Sequence, residues 1–232
     1  LSIPGDESEI AQRLLAALPY QTPEQGRDYW VLDDVLPNAR EVTERCWAKP
    51  FWTLGAPYRS EYWPGMRAPE ALLPDELHAL EAKVASAVGA AGLWKDVSPV
   101  GALCHGFVQM VGGGDADAKP HVDSLALCDY AGVLYLHPYP PTRHAGTSFY
   151  RLKLPDGRLG GNRVAPPHTN LVDALGVKKL PISAWEEDVE IPYVYNRLVV
   201  YRSDLVHSAT GYFGDVLQRK RLSAVFFWKA KA

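Results

Sequence analysis

A chain of 232 residues, 47% apolar and 11% aromatic, carries enough hydrophobic material for one large domain and too much for wholesale disorder. A formal net charge of -3 offers no basic field for phosphate backbones, which argues against nucleic-acid binding, and no apolar run approaches the length of a membrane span. The three cysteines, Cys46, Cys104 and Cys128, are scattered and odd in number, a pattern of buried thiols in a reducing, cytoplasmic setting rather than of a disulfide framework or zinc knuckle.

In chain order, residues 1–26 read as a peripheral arm. Asp6 or Ser8 is placed to cap a short helix whose Ile10, Leu14 and Leu15 share a face and which Pro19 ends. Tyr29-Trp30-Val31-Leu32 predicts a strand, followed by a helix over roughly 38–48 carrying Val42 and Trp47. Residues 50–70, rich in aromatics, Pro and Gly, predict an ordered loop that either lines a pocket or seals a core edge. Asp75 then opens a helix to about residue 90, with Leu77, Leu80, Val84 and Val88 on one stripe and His78 beside it at the surface.

From about residue 100 the period changes to two. Strands are expected over 104–111, 121–127, 132–137, 147–152, 197–202, 206–212 and 221–228, separated by Gly and Pro. The triple glycine Gly112-Gly113-Gly114 reads as a link and not a phosphate loop, because no Lys-Ser/Thr follows it. Residues 153–190 form a polar insertion, a lid or an embellishment, with a helical turn at Trp185-Glu186-Glu187-Asp188. Helices first and short strands afterwards predict an α+β chain whose sheets make a sandwich or barrel.

Within that pattern, Pro120-His121-Val122-Asp123 puts two potential metal ligands at strand spacing, on one face. His207 follows the strand at 197–202 after a short turn, where a neighbouring antiparallel strand could bring it opposite them. Two imidazoles and a carboxylate from one side make the facial triad of non-haem Fe(II) sites. Near the end, Arg221 and Ser223 share a face with Val225 and Phe227. An arginine on the inner face of an apolar strand is costly unless an anion meets it, and its fork suits a carboxylate. Arg219, of the same parity, is the rival anchor. Gln109 and Tyr135 are polar groups on strands that could face the same pocket, whereas His105, His137, His144 and His168 lack partners at informative spacing.

Over residues 104–228 these motifs, in order, resemble the Fe(II)/2-oxoglutarate-dependent dioxygenase superfamily, most nearly its prolyl-4-hydroxylase-like branch. The resemblance is carried by Phe107–Val111 with the glycines, Pro120–Asp123, Val133–Leu136 through Gly146–Phe149, Leu198–Tyr201 through His207, and Arg221-Leu222-Ser223; residues 29–48 match more weakly. Two features depart from the pattern: prolyl hydroxylases often carry Lys in place of Arg221, and an extra charged turn, Asp215 to Lys220, separates His207 from the anchor.

The resemblance implies a single domain over 1–232: a double-stranded β-helix, jelly-roll or cupin-like, with N-terminal helices packed on one sheet. Residues 1–99 would support a barrel core at 100–232. It implies Fe(II) on His121, Asp123 and His207, and 2-oxoglutarate gripped by Arg221 and Ser223 with Tyr135 and Gln109 nearby. It also implies consumption of O2, with release of succinate and carbon dioxide, and oxidation of a small-molecule or peptidyl substrate, with no nucleic-acid or membrane partner. Related halogenases replace the carboxylate with a small residue, so Asp123 favours a hydroxylase. The competing reading is a catalytically inactive cupin-like scaffold, and the oligomeric state is left open.

Overall fold

A computed structural model describes residues 6–60, 63–96, 104–177 and 180–231; residues 1–5 of the expected N-terminal arm and Tyr62 of the aromatic loop lie outside these. The Asp6 side chain accepts from the Glu9 amide (2.9 Å) and caps α1 (Glu7–Ala17). There follow β1 (Tyr29–Leu32), α2 (Ala39–Trp47), the short β2 (Thr53–Leu54) and β3 (Met66–Ala68), and α3 (Pro74–Val88). Pro74 opens α3 and Gly89, in the left-handed conformation, ends it.

The second half supplies β5 (Phe107–Val111) after the small β4 (Gly92–Trp94), then β6 (Tyr130–Tyr135), β7 (Thr147–Leu152), a short α4 (Leu171–Leu175), β8 (Trp185–Ile191), β9 (Leu198–Arg202), β10 (His207–Ala209) and β11 (Arg221–Lys231). One sheet runs β1-β9-β6-β11-β5-β3-β2, with β4 on the end of β11; the other runs β10-β7-β8. All pairings between these strands are antiparallel.

Alternation along β11 sets the layers. Leu222, Ala224, Phe226 and Trp228 are buried in a core with Val108, Met110, Leu134, Leu198 and Val200, against Val42 and Cys46 of α2 and Leu80 and Val84 of α3. The odd-numbered residues, Arg221, Ser223, Val225 and Phe227, take the opposite face. On that side, between the sheets, lies a second core of Tyr135, Phe149, Ile191, Tyr193, Val199, Tyr201 and Phe213. α1 crosses to the smaller sheet, where Ile10, Ala11 and Leu14 pack with Tyr150, Leu152, Trp185 and Val206. Among the described residues no helix is long and apolar enough to cross a membrane.

Four expectations are corrected. No strand covers 121–127: His121 forms a single antiparallel bridge with His207, and the amides of Leu127 and Cys128 fold back onto the Ser124 carbonyl as a turn. Trp185–Asp188 is not a helical turn but the start of β8, which completes the smaller sheet from within the insertion. The 50–70 segment contains two short strands that extend the larger sheet. Finally, β9 begins at Leu198: Asn196 stands before it at φ +61°, and its side chain bonds both the amide and the carbonyl of Leu36 (3.0 and 2.9 Å).

Candidate active site

The reciprocal backbone bonds between His121 and His207 (2.9 and 2.8 Å) bring two sequence-distant histidines face to face, with ring centroids 4.4 Å apart. Each ring is oriented by its own chain. Nδ1–H of His121 donates to the Lys119 carbonyl (2.7 Å) and Nδ1–H of His207 to that of Leu205 (2.9 Å). A carbonyl can only accept, so each neutral ring presents the Nε2 lone pair to the space between them. Asp123 completes the group: its carboxylate oxygens lie 3.9 Å from His121 Nε2 and 3.4 Å from His207 Nε2.

Three acceptors thus converge, one ligand atom from each residue, all within 4.8 Å of one another. Asp123 is 8% exposed, and its Oδ2 has no hydrogen-bond partner. Burial pushes its carboxyl up to about 6. Burial also holds both imidazoles down to about 4, helped for His121 by the neighbouring His207. Neutral histidines facing an orphaned carboxylate are an unfavourable set on their own and a fitting one for a divalent cation. The donor chemistry, two imidazoles and one carboxylate, suits iron and leaves room for further ligands.

These residues line a cavity of about 300 Å³ between the two sheets, together with Trp63, Arg67, Gln109, Thr147, Tyr201, Tyr212 and Arg221. Trp63 tilts over His121 and Tyr201 over His207, at 4.6 and 4.3 Å between centroids, so aromatic carbon covers the back of each ring. A larger cavity of about 690 Å³ adjoins, sharing Trp63, Lys119 and His121 and walled by Leu171, Leu175, Val177, Leu180 and Ile182 of the insertion.

Arg221, 3% exposed, reaches into the first cavity from the start of β11. Its guanidinium donates to the carbonyls of Ala145 (2.7 Å) and Gly146 (3.3 Å) and to Ser223 Oγ (3.1 Å), all neutral acceptors. Among the described residues no carboxylate pairs with it. Three of its five N–H groups are used, so two remain for an anion. Gly146 is required beside it, since a Cβ there would lie 1.9 Å from the Ile191 carbonyl oxygen. Just upstream, Lys220 is pinned by Asp115 (2.8 Å) and the Tyr58 hydroxyl, fixing where the strand starts. Arg219, by contrast, is exposed on a 3-10 turn and is not among the residues lining this cavity.

The remaining sequence candidates divide. Gln109 lines the cavity and donates to the Pro64 carbonyl (3.4 Å). Ser223 instead sits beneath the guanidinium and holds it. Tyr135 is fully buried outside the lining, stacked on Tyr193, and its hydroxyl meets Thr147 Oγ1 (2.8 Å), so Thr147 takes the place at the cavity wall expected of Tyr135. His105, His137, His144 and His168 are engaged with Phe227, Gln218, Glu190 and Asp173, away from the triad. Sequence reasoning missed Arg67 and Tyr212, which stand on segments too short or irregular for a period to show.

No family model and no curated protein matches the chain. Among solved structures it resembles SnoK, a non-heme alpha ketoglutarate dependent carbocyclase from nogalamycin biosynthesis, at TM-score 0.53 and 13% identity, over 100% of this chain and 88% of that one. It also resembles the epimerase SnoN, crystallised with Fe3+, alpha ketoglutarate and nogalamycin RO, at TM-score 0.50 and 16% identity, over 99% of this chain and 85% of that one. With its two antiparallel sheets closed around a His-Asp-His cluster, the chain has the double-stranded β-helix fold of these non-heme enzymes.

Proposed function

We propose that the protein is an Fe(II)- and 2-oxoglutarate-dependent oxygenase that oxidises a C–H bond of a small molecule or peptidyl side chain, hydroxylation being the simplest outcome. The observation that carries this reading is one cavity holding both a converging set of acceptors, His121, Asp123 and His207, with Asp123 Oδ2 unpartnered, and a buried arginine without an anion, Arg221. The first asks for a divalent cation and the second for a carboxylate. When bound there, iron with 2-oxoglutarate and oxygen would supply oxidative decarboxylation to succinate and carbon dioxide, coupled to substrate oxidation.

The chain's own residues have separable tasks in this reading. His121 and His207 offer Nε2 lone pairs because the Lys119 and Leu205 carbonyls fix their Nδ1 protons. Asp123 neutralises charge and occupies the position where a halide would otherwise fit, favouring oxygenation. Arg221, aimed by Ala145, Gly146 and Ser223, receives the far carboxylate of the dicarboxylate with its two spare N–H groups. Trp63 and Tyr201 keep water from the backs of the imidazoles. His121 is the more open ligand, with 24% of its side chain exposed against 4% for His207, so substrate enters on the Trp63 side.

An inactive barrel would have no use for an unpartnered buried carboxylate between two neutral imidazoles, in one cavity with a buried arginine that meets no anion. The test is succinate formation. Protein loaded with Fe(II) and 2-oxoglutarate without oxygen is exposed to oxygen with a broad substrate pool, and succinate is quantified against Asp123→Ala and Arg221→Ala. Succinate above both controls supports the proposal, and equal traces in all three defeat it.

A further inference from the structure

The centre of β3 places a second arginine on the cavity wall. Register ties Arg67 to Gln109 on β5 and Gln109 to Ser223 on β11, so Arg67 belongs to the inward-facing row that also contains the 2-oxoglutarate anchor's neighbour. Its flanking residue Ala68 is buried in the opposite core, with Met66 packed against that core, as alternation requires. Arg67 lines the same cavity as the triad and Arg221.

The two arginines differ in how they are held. Arg221 is fixed by two carbonyls and a hydroxyl. Arg67 has no ion pair and no hydrogen bond among the described residues, and its Nη2 is buried without a partner. A guanidinium cannot shed its charge to escape this situation. The residue is half-buried, but leaving that Nη2 without a partner carries a cost that no hydrogen bond among the described residues offsets. A structural arginine would meet a carboxylate or a ring of carbonyls; this one meets a cavity.

Charge in the cavity points the same way. Arg67 and Arg221 against Asp123 leave at least one positive charge in excess, and Lys119 at the same wall does not reduce it. A divalent cation and a dicarboxylate cosubstrate cancel each other, so the excess persists in the loaded site. A single anionic group on the substrate would neutralise it, and the planar fork of Arg67 matches a carboxylate.

We infer that Arg67 is a substrate-binding residue and that the substrate is a small molecule bearing a carboxylate, an inference that rests on the oxygenase reading above. The carboxylate orients the substrate from the β3 side of the cavity, two strands away from the Arg221 anchor on the same sheet, while the neighbouring cavity beyond Trp63 leaves space for the rest of the molecule.

The test uses the full chain loaded with Ni(II), a redox-inert stand-in, and 2-oxoglutarate. Ligand-observed NMR compares matched aromatic and aliphatic carboxylic acids with their primary amides. Acids should bind at least about tenfold more tightly than amides. The preference should vanish in Arg67→Ala and survive in part in Arg67→Lys, with 2-oxoglutarate affinity kept within about twofold. No acid binding, equal binding of acids and amides, or a preference that persists in Arg67→Ala overturns the inference. So does a loss of 2-oxoglutarate affinity in Arg67→Ala as large as in Arg221→Ala, which would make Arg67 a cosubstrate residue.

A second measurement needs no ligand: metal-free Arg67→Met should melt at or above the wild-type temperature, since it removes an unpaired cation. A clear drop would give Arg67 a structural role and overturn the inference. If wild type fails to bind 2-oxoglutarate at all, the oxygenase reading falls, whereas acid-over-amide preference in the metal-free protein still tests Arg67 separately.

Discussion

Asp123 carries the electrostatic tension of the site, and it sets how metal binding responds to pH. Its raised carboxyl, at about 6, must lose a proton before it can ligate, while the imidazoles, held down to about 4, are already neutral there. Acidification from neutrality should therefore leave Ni(II) affinity flat to about pH 6, then lower it about tenfold per pH unit as a single proton competes, and more steeply below about pH 4. Titration by isothermal calorimetry checks this; a break at the ordinary histidine value near 6.5 with a two-proton slope would contradict it. Asp123→Asn should abolish stoichiometric Ni(II) binding yet leave the metal-free protein at least as stable, since it removes an orphaned buried charge. Thermal melts with and without metal distinguish this from simple misfolding.

Much at this scale was legible in the sequence. His-x-Asp and the distal histidine are residue types with a defined chemistry, and the parity of Arg221 with Val225 and Phe227 told which face it takes. Arg67 was not legible, because an arginine in a three-residue strand has no period, and its lack of a partner is a property of the folded cavity alone. Tyr135 was misplaced for a related reason. Period two fixes the face of a strand, but not how deep along it a side chain lies, and the stack on Tyr193 draws its hydroxyl to Thr147.

At the scale of elements, single residues hold the frame that aims these groups. Asn196 combines a left-handed backbone with two bonds to the buried Leu36 peptide groups, tying the start of β9 to the entry of α2. Asn196→Ala should cost about 2–4 kcal/mol by leaving a buried donor and acceptor unpaired and straining φ. Asn196→Gly should cost less, because it relieves the backbone while losing the same bonds. Urea unfolding of the pair checks the order; equal losses would mean that the conformation contributes nothing. Gly146→Val would thrust a side chain into the Ile191 carbonyl and shift the two carbonyls that hold Arg221. The element reading from sequence was strongest where alternation was long: 147–152 was expected and found as β7. It failed at β8, whose Glu186, Glu187, Asp188 and Glu190 mask the period of an edge strand, a common protection of exposed edges.

For the molecule as a whole, the layers explain why a costly site persists. Two apolar cores on the outer faces of the sheets, under α2 and α3 and under α1, stabilise the fold, so the space between the sheets can hold uncompensated charge at one end. Leu134, fully buried in the first core on the face of β6 turned away from the cavity, shows the division: Leu134→Ala should cost about 2–5 kcal/mol in unfolding free energy and leave metal affinity intact. A parallel loss of Ni(II) binding would mean that core and site are not separable. Metal and 2-oxoglutarate together should raise the melting temperature of wild type, since both bind only the folded chain.

In the proposed function, the His121-Asp123-His207 cluster and Arg221 act as one binding unit for a metal-chelated dicarboxylate. Anaerobic calorimetry of 2-oxoglutarate binding, with and without Fe(II), tests it most directly. Binding should require Fe(II), weaken about ten- to a hundredfold in Arg221→Ala, and be lost in Asp123→Ala. Binding of equal strength without metal, or unchanged in Arg221→Ala, would contradict it.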